Sequence, residues 1–351
     1  MNVLRNKRIF ITGVCGTVGA ELVRQLLADT DSSPAEIIGI DNNESELFFL
    51  DQCYASDLRA RFLVADVRDR SNLTRLLRGI DIVFHVAALK HVVLCERSPF
   101  EAVQTNIHGV QNIISAALEN DVERVIFTSS DKAVNPTNVM GTSKLMGERL
   151  ITAANSSERV GRTILASTRF GNVLGSRGSV LPIFQRQIEN GGPITLTDEN
   201  MTRFVMSLSD SVRLVIDSAT LARGGEVFIT KMPVIRIRDL AEVMIDVLAP
   251  VYGYRSPDIE IKEIGSKPGE KLYEELMNVE EIRRAVELRR YFSLLPAFRG
   301  LYKSIEYTYA DMVNREVSNP YVSSEESPLS RSELRAFLET NNLLPVDTHH
   351  L

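Results

Sequence analysis

Cysteine, tryptophan and long apolar runs are scarce or missing in this sequence. It has no tryptophan and three cysteines, Cys15, Cys53 and Cys95, which are widely spaced and form no CxxC pair. Neither a disulfide framework nor a zinc knuckle is predicted, no metal site is expected, and a reducing cytoplasm is the expected compartment. No apolar run approaches the roughly 20 residues that span a bilayer, so we expect no membrane insertion.

The balance of charge narrows the classes of ligand. With 46 acidic and 40 basic residues, the chain has a formal net charge of -6. Neither a nucleic acid nor an anionic membrane surface would be attracted electrostatically, so no nucleic-acid partner is expected. An anionic ligand must instead meet local cations. The 351 residues, 44% of them hydrophobic, suffice for one large core and a smaller attached lobe.

Short β-rich apolar runs alternate with longer amphipathic segments in the first half of the chain. This alternation is typical of βαβ units around a parallel sheet. It predicts strands at 8–12, 37–41, 62–66, 82–85, 125–129 and 163–167. It predicts helices at 17–28, 44–52, 71–77, 100–119 and 140–153. Asn43 and Glu46 have the spacing of a helix-capping pair, which supports a helix start after the second strand.

Glycine and proline interrupt the pattern beyond residue 170. We therefore expect an α/β domain over 1–170, a ligand-binding lobe over 171–280 whose chain crosses back to that domain, and a charged C-terminal extension over 281–351. Helices are predicted from Ser207 and over 239–248, with a strand over 226–230. Ser330 and Glu333 have the spacing that caps one last helix.

A glycine motif, GVCGTVG at 13–19, lies between the first predicted strand and the first helix. Glycines there let the backbone approach a pyrophosphate, and the helix N-terminus favours its charge. The second strand ends in Asp41, about 20 residues beyond the last glycine, where a carboxylate can accept hydrogen bonds from ribose hydroxyls. This context predicts a Rossmann-type doubly wound sheet that binds a dinucleotide. The predicted contacts are Gly13, Gly16, Thr17, Val18, Gly19, Asp41 and Asn42.

The residues after the second and later strands bear on the kind of dinucleotide. Asp41 would repel a 2′-phosphate and the following Asn42 supplies no cation, so NAD is favoured and NADP is possible. Asp66 and Val67 are placed either to meet the adenine or to cap the next helix. Ala87 and Ala88 allow either close packing against a dinucleotide or tight helix–sheet packing.

The stretch TSSDKAVNPTNVMGTSK at 128–144 follows a predicted strand and leads into a helix. Ser130, Met140 and Lys144 occupy the places of the Ser-Tyr-Lys set with which short-chain dehydrogenases/reductases hold and deprotonate a substrate hydroxyl. Methionine cannot take up a proton, so that step must be organised differently. Asp131 and Lys132 are an adjacent potential acid and base. On the residues alone, a surface ion pair is the equal alternative.

Residues 129–144 resemble the signature of the UDP-N-acetylglucosamine 4,6-dehydratase family of bacterial polysaccharide and flagellin-glycan biosynthesis. Further segments resemble family blocks in the right order, namely ALKHV at 88–92, RFGNV at 169–173, GSRGSV at 175–180, MTRF at 201–204 and KPGEK at 267–271. The likeness extends over about residues 5–280. Met140 indicates one branch of this family.

The resemblance implies an NAD-dependent lyase that removes water from a UDP-sugar and returns a transiently held hydride to it. Asp131 would protonate the hydroxyl that leaves carbon 6, and Lys132 would remove the proton from carbon 5. The remaining implied cofactor contacts are Lys90, Asn106, Ser129 and Lys144. The implied substrate contacts are Lys90, His91, Asn172, Arg177, Ser179, Val180, Arg203, Met206, Lys267 and Glu270.

Within that set, the resemblance places Asn172, Arg177 and Arg203 at the UDP diphosphate, and Lys267 and Glu270 at the uridine ribose. Arginine suits a diphosphate because its planar fork can donate two hydrogen bonds at once. His91 is equally consistent with a structural histidine. The resemblance also implies a homo-oligomer and places the chain with the short soluble members rather than with larger relatives that carry an N-terminal membrane region.

Two other functions fit part of the sequence. A UDP-hexosamine 4-epimerase would use the same cofactor but would not need an acid and a base aimed at carbons 6 and 5, so Asp131 and Lys132 favour the dehydratase. A non-catalytic dinucleotide-binding sensor or scaffold is conceivable because the tyrosine is missing. The joint presence of Asp131, Lys132 and Lys144 argues against it.

Overall fold

The computed structural model describes residues 3–31, 33–155, 163–265, 269–298 and 305–344. The chain forms two compact units. The first comprises Met1–Phe170, Ser209–Lys231 and Leu276–Pro320, and the second comprises Gly171–Leu208, Met232–Glu275 and Tyr321–Leu351. The units are interleaved along the sequence, so segment 281–351, predicted as one extension, is divided between them.

Seventeen strands and eleven helices are distinguished in the described residues. The strands are β1 Arg8–Thr12, β2 Glu36–Asp41, β3 Ala60–Val64, β4 Ile82–His85, β5 Arg124–Ser130, β6 Ile164–Phe170, β7 Asn172–Val173, β8 Ile194–Leu196, β9 Thr202–Met206, β10 Val227–Thr230, β11 Val234–Arg236, β12 Ile261–Glu263, β13 Glu275–Met277, β14 Ala285–Leu288, β15 Tyr291–Leu294, β16 Met312–Asn314 and β17 Tyr321–Val322. The helices are α1 Thr17–Ala28, α2 Glu44–Cys53, α3 Arg70–Leu76, α4 Val92–Arg97, α5 Pro99–Ala102, α6 Gly109–Glu119, α7 Val139–Ala154, α8 Val180–Glu189, α9 Leu208–Leu221, α10 Ile237–Val251 and α11 Arg331–Thr340.

The first unit is built on a ten-stranded sheet. Its strand order is β16-β14-β15-β10-β6-β5-β4-β1-β2-β3. The seven strands β3, β2, β1, β4, β5, β6 and β10 run parallel to one another. Strands β15, β14 and β16 extend the sheet beyond β10 with antiparallel pairings. The order β3-β2-β1-β4-β5-β6 is that of a Rossmann fold, which confirms the predicted class. The order reverses between β1 and β4, the usual place for a dinucleotide.

Apolar residues on both faces of this sheet are buried, as a parallel sheet between two helix layers requires. One core layer joins α1 and α9 through residues such as Leu22, Leu26 and Val215. The opposite layer joins α3, α6 and α7 through residues such as Leu73 and Ile113. The carboxyl ends of β1, β4 and β5 are left to carry the loops of the candidate site.

Local signals in the sequence identify most element starts. The Asn43 side chain accepts a hydrogen bond from Glu46 N at 3.2 Å, and Ser330 and Glu333 form a complete capping box at α11. Strand β3 begins and ends two residues earlier than predicted, because the Asp66 carboxylate accepts from the Arg68 amide at 2.9 Å and so starts a turn.

The predicted helix over 100–119 is interrupted. It consists of α5, a π-helical turn at Val103–His108 and α6. A π-turn widens the helix locally and is often found at functional sites. Here it places Asn106, which is buried, on the side of the chain that faces α7.

The second unit has its own smaller sheets and core. Strands β11, β9 and β7 form one sheet, and β12 pairs with β8. Helices α8, α10 and α11 bury apolar side chains around Phe184, Leu240 and Leu338. This separate core gives the segments around Asn172 and Arg203 a rigid support.

Two kinds of feature are absent from the described residues. No described helix combines the length and the apolar character needed to cross a bilayer. The described part of the chain also contains no group of three or more His, Cys, Asp or Glu side chains placed to hold a metal ion.

Candidate dinucleotide and reaction site

The glycine loop lies directly against the end of β4. Gly13 has a φ of +74°, and a Cβ added there would lie 2.8 Å from both the Cα and the N of Ala87. A Cβ on Gly19 would overlap the Gly13 carbonyl oxygen. Both positions therefore require glycine, and the loop brings its backbone close to the sheet at the point where strand order reverses.

Asp41 fixes this loop from the end of β2. Its two carboxylate oxygens accept hydrogen bonds from the backbone amides of Cys15 and Asn43, each at 3.0 Å. A carboxylate has about four lone-pair positions, so each oxygen can accept a further bond from a hydroxyl. The arrangement suits a residue that both shapes the loop and binds a ribose.

Thr12 and His85 join the ends of β1 and β4 beneath the loop. The Thr12 hydroxyl accepts from the amides of Val86 and Ala87, each at 3.1 Å, and lies 2.7 Å from His85 Nδ1. With both lone pairs occupied, the hydroxyl donates to Nδ1, which leaves the His85 proton on Nε2. Burial, helped by the Lys144 charge, lowers the pKa of His85 to about 3 and keeps it neutral.

Asp66 and Val67, which follow β3, make contacts within the first unit. Asp66 forms an ion pair with Arg68 at 2.7 Å, and this partner lowers its pKa despite partial burial. Asp69, not Asp66, caps α3, so the capping alternative for Asp66 is wrong. Val67 is buried, and its side chain would be met by a Cβ on Gly109. Val67 therefore packs in the layer between sheet and helix.

The reactive stretch forms a tight 3₁₀ turn at the end of β5. Ser130 Oγ lies 2.6 Å from Asp131 Oδ1. Lys132 Nζ lies 3.2 Å from Oδ1 and 3.4 Å from Oδ2 of the same carboxylate. The Asp131 side chain is 2% exposed and that of Lys132 is 26% exposed. A buried acid and a partly exposed amine are thus held together, which is more than a solvated surface pair.

Lys144 lies on α7, close to the carboxyl end of β5. Its Nζ donates to the Thr128 carbonyl oxygen at 2.8 Å and sits 4.8 Å from the centre of the Phe127 ring. Burial lowers the pKa of Lys144 to about 8, although the Glu148 charge acts in the opposite direction. Met140, one turn earlier, is 3% exposed and packs with Cys95 and Ala102. It acts as an apolar support for α4 and α5.

Asn106, a predicted cofactor contact, is hydrogen-bonded within the protein. Its side-chain amide donates to the Leu89 carbonyl and to Ser143 Oγ, both at 2.9 Å, and its oxygen accepts from Leu89 N at 2.9 Å. Both N–H groups are used within the protein. Asn106 therefore ties the loop after β4 to α7, and Lys90 and His91 follow in that loop as exposed residues.

Other predicted residues of the first unit lie along the same edge of the sheet. Ser129 is buried at the end of β5, and within the described residues its Oγ has no hydrogen-bond partner. Gly16, Thr17 and Val18 form the start of α1, and Asn42 is exposed after β2. Ala88 follows Ala87 in the loop after β4.

A buried ion cluster that the sequence did not indicate lies behind α7. Arg169, at the end of β6, donates to both oxygens of Glu148 at 2.9 and 2.7 Å. It also donates to both oxygens of Glu281 at 2.8 and 2.7 Å. These partners are 21 and 112 residues away in sequence, so no local pattern connects them.

The second unit contains the remaining predicted substrate residues. Asn172 and Met206 lie on the paired strands β7 and β9, where Asn172 is opposite Val205 and Met206 is buried. Arg177 is exposed in the loop before α8. Ser179 and Val180 begin α8, and Ser179 Oγ is buried without a hydrogen-bond partner among the described residues. Lys267 lies outside the described residues.

Arg203 is held mainly by backbone carbonyls of its own unit. Its Nη1 donates to Thr202 O at 2.8 Å and Leu272 O at 3.1 Å, and its Nη2 donates to Lys271 O at 2.8 Å. Glu270 is exposed, and one of its carboxylate oxygens lies 4.0 Å from Arg203 Nη2. A second carboxylate, that of the buried Glu274, lies 3.7 Å from Arg203 Nε.

Comparison with known proteins identifies the family. Residues 9–296 match the family described as polysaccharide biosynthesis protein. The chain belongs to this family. An uncharacterized membrane protein of Methanocaldococcus jannaschii is 50% identical over 295 residues, which cover 84% of this chain and 87% of that protein.

Two relatives with named activities represent two different reactions. An inverting UDP-N-acetylglucosamine 4,6-dehydratase of Campylobacter jejuni is 35% identical over 94% of this chain and 96% of its own length. This similarity confirms the resemblance seen in the motifs. A UDP-glucose 4-epimerase of Rickettsia canadensis is 36% identical over 96% of each chain. Overall similarity therefore does not separate the two reactions.

Solved structures agree with the fold. Pen from Bacillus thuringiensis has a TM-score of 0.89 at 40% identity and covers 98% of this chain and 100% of its own. The dTDP-glucose 4,6-dehydratase DesIV from Streptomyces venezuelae, solved with NAD bound, has a TM-score of 0.66 at 25% identity and covers 76% of this chain and 86% of its own. Structural relatives of the chain thus bind NAD.

Proposed function

We propose that this protein is an NAD-dependent UDP-N-acetylglucosamine 4,6-dehydratase that supplies a 4-keto-6-deoxy nucleotide-sugar for surface polysaccharide or glycan synthesis. The observation that carries the proposal is the Ser130-Asp131-Lys132 turn, in which a buried carboxyl contacts both a hydroxyl and an amine. An elimination needs an acid for the leaving hydroxyl and a base for the neighbouring carbon, and this turn contains both.

The residues of the first unit fit NAD. The close approach of Gly13 to Ala87 leaves room only for backbone, as a pyrophosphate cradle requires, and the orphaned Ser129 Oγ is available to a ligand. Asp41 would hold the adenosine ribose, and Lys144 would hold the nicotinamide end. When bound, NAD supplies a reversible hydride acceptor for carbon 4 of the sugar.

Ser130 and Lys144 would serve the first step, the loss of the proton from the carbon 4 hydroxyl. Met140 cannot accept this proton. Ser130 Oγ can, because it can pass its own proton to Asp131 Oδ1 at 2.6 Å. A charged Lys144 next to this turn stabilises negative charge that develops on the sugar oxygen.

Asp131 and Lys132 would serve the second step. Lys132, the more exposed of the two, would take the proton from carbon 5, which a ketone at carbon 4 acidifies. Asp131 would give its proton to the hydroxyl that leaves carbon 6. The proton that Asp131 gains from Ser130 in the first step would leave with the water, and Lys132 would return its proton to carbon 5 when the hydride reaches carbon 6, so both side chains end in their starting protonation states.

The rival proposal is a UDP-hexosamine 4-epimerase, and the Rickettsia relative favours it. An epimerase needs the ketone at carbon 4 but neither an acid at carbon 6 nor a base at carbon 5. Lys132, the base proposed for carbon 5, has no task in that reaction. This difference makes the dehydratase the better supported of the two.

Proton NMR of a mixture with UDP-N-acetylglucosamine tests the proposal. A methyl doublet from carbon 6 is expected as the substrate signals decline, without stoichiometric accumulation of reduced cofactor. Conversion to the galacto-configured sugar without a methyl doublet would establish the epimerase. An unchanged spectrum with intact NAD binding would favour a sensor.

Two variants test the roles within the turn. Asp131→Asn and Lys132→Met should each lower turnover by about a hundredfold or more, the usual scale for a positioned acid or base. In single turnovers Lys132→Met should form the ketone without exchanging the carbon 5 proton with deuterated water, whereas Asp131→Asn should slow formation of the ketone itself, because it removes the acceptor of the Ser130 proton. The matched controls are Asp258→Asn and Lys262→Met at exposed positions. Native exchange in Lys132→Met contradicts the assignment.

A further inference from the structure

We propose that Arg169 is a positioning residue for the reactive site. It holds one half of the site, the Lys144 helix, through Glu148 and the other half, the Asp131–Lys132 turn, through Glu281, and so fixes the two halves relative to each other. The inference rests on the proposed function, because that function is what makes the two halves a single site. Arg169 touches none of the reacting groups. It acts through its partners.

Arg169 is fully used by protein partners. It is 1% exposed, and its five N–H groups are matched by five hydrogen bonds, two to Glu148, two to Glu281 and one to Leu276 O at 2.9 Å. Lysine could not reproduce this pattern, because an ammonium lacks the planar fork that binds two carboxylates side by side. The position therefore demands arginine.

The first branch leads to Lys144. Glu148 follows Lys144 by one turn of α7 and is locked by the guanidinium, so its charge is held at a fixed place along the helix. Other titratable groups that face Lys144 are Cys95 from α4 and His85 from β4. Burial raises the pKa of the Cys95 thiol and lowers that of His85, so both are uncharged near neutral pH. Glu148 is then the group of these three that holds Lys144 in its charged form.

The second branch leads to the turn. Glu281 Oε2 accepts a hydrogen bond from the backbone N–H of Asn278 at 3.2 Å. The Asn278 side-chain oxygen in turn accepts one from the backbone N–H of Glu281 at 3.0 Å. Asn278 Nδ2 donates to the Asn135 side chain at 3.3 Å. Asn135 has a φ of +44° and lies three residues beyond Lys132. The cluster thus supports the segment that follows the reactive turn.

Stability alone is a weak reason for such a cluster. Burying three charges carries a desolvation cost that their attraction only partly returns, and apolar replacements of similar volume are often as stable. What the cluster supplies is fixed distances between β6, α7 and the segment after β13. Those elements carry or support every group of the proposed reaction in this unit.

The first test measures Lys144 directly and needs neither substrate nor cofactor. The chain has nine lysines, so ¹³Cε-labelled lysine gives a resolvable NMR spectrum in which Lys144→Met identifies the Lys144 signal. Glu148→Gln should move the Lys144 titration midpoint down from about 8 by about one pH unit, since a negative charge is removed. Glu226→Gln, an equally buried carboxylate in the same unit, is the control and should leave the midpoint unchanged. An unmoved midpoint in Glu148→Gln overturns the first branch.

The second test measures the turn. Asn278→Ala should speed backbone hydrogen exchange of the peptide covering 130–139 at least severalfold while leaving the Lys144 midpoint unchanged. Arg169→Lys should produce both effects at once. If Arg169→Lys fails to fold, the two single-branch variants still decide the matter. Native exchange at 130–139 in Asn278→Ala overturns the second branch, and neither result depends on which reaction the enzyme catalyses.

Discussion

Substitution of Gly13 by alanine isolates the close approach on which the dinucleotide site depends. The added Cβ would lie 2.8 Å from two backbone atoms of Ala87, whereas carbon atoms in contact are separated by about 3.5–4.0 Å. Backbone atoms cannot rotate away as a side chain can. Either the glycine loop or the end of β4 must move.

The expected cost has two parts. An alanine forced into the left-handed region, here at a φ of +74°, costs roughly 1–2 kcal/mol. Overpacking in a closely fitted site typically costs about 1–3 kcal/mol more. Gly253 provides the matched control, because its φ is +82° and no described atom lies within 4 Å of an added Cβ. Gly253→Ala should therefore show only the first part.

Denaturant unfolding of both variants and calorimetric titration with NAD make the comparison. Gly13→Ala should be about 1–3 kcal/mol less stable than Gly253→Ala, and its NAD affinity should fall at least tenfold while that of Gly253→Ala stays native. If the two variants unfold at the same denaturant concentration and bind NAD equally, the loop does not lie against β4 as described.

Two further predictions concern ligand binding. Arg203→Ala should weaken UDP binding without changing NAD affinity, and it should also destabilise the protein because three carbonyls lose their donor. Arg177→Ala should weaken UDP binding without destabilising the protein. Titrations with UDP and NAD, together with thermal unfolding, distinguish the two variants. NAD affinity should fall as pH rises through about 8, where Lys144 loses its charge. The NAD affinity of Lys144→Met, measured over the same pH range, should not show this fall.

Much of the first unit was predictable because its signals are local. The strands β1 and β4 have the predicted bounds, and Asp41 ends β2 where a ribose-binding carboxylate was expected. Capping by Asn43, and by Ser330 in the second unit, involves side chains three residues away from their partners. Hydrophobic periodicity and helix capping involve residues within one strand or one helical turn. Both can therefore be recognised from a single sequence.

The features that escaped prediction depend on distant partners. No sequence pattern indicates the hydrogen bonds of the Asn106 amide to Leu89 and to Ser143, the latter 37 residues away. The Arg169 cluster joins residues more than a hundred positions apart. The division of segment 281–351 between two units likewise reflects tertiary pairing, such as that of β15 with β10 and of β14 with β15, rather than a change in composition.

The methionine at position 140 links these observations. In a Ser-Tyr-Lys enzyme the residue at this place carries the proton, but Met140 is buried with Cys95 and Ala102 and has no group that could do so. The hydroxyl nearest to the reactive carboxyl is that of Ser130, and it contacts Asp131 directly. In the proposed reaction the proton path would therefore run through the turn at the end of β5, and helix α7 would contribute the charge of Lys144 and the packing of Met140. A site arranged in this way depends on the relative placement of the turn and the helix, which is the placement that we propose Arg169 holds, while Asn106 ties the loop after β4 to the same helix.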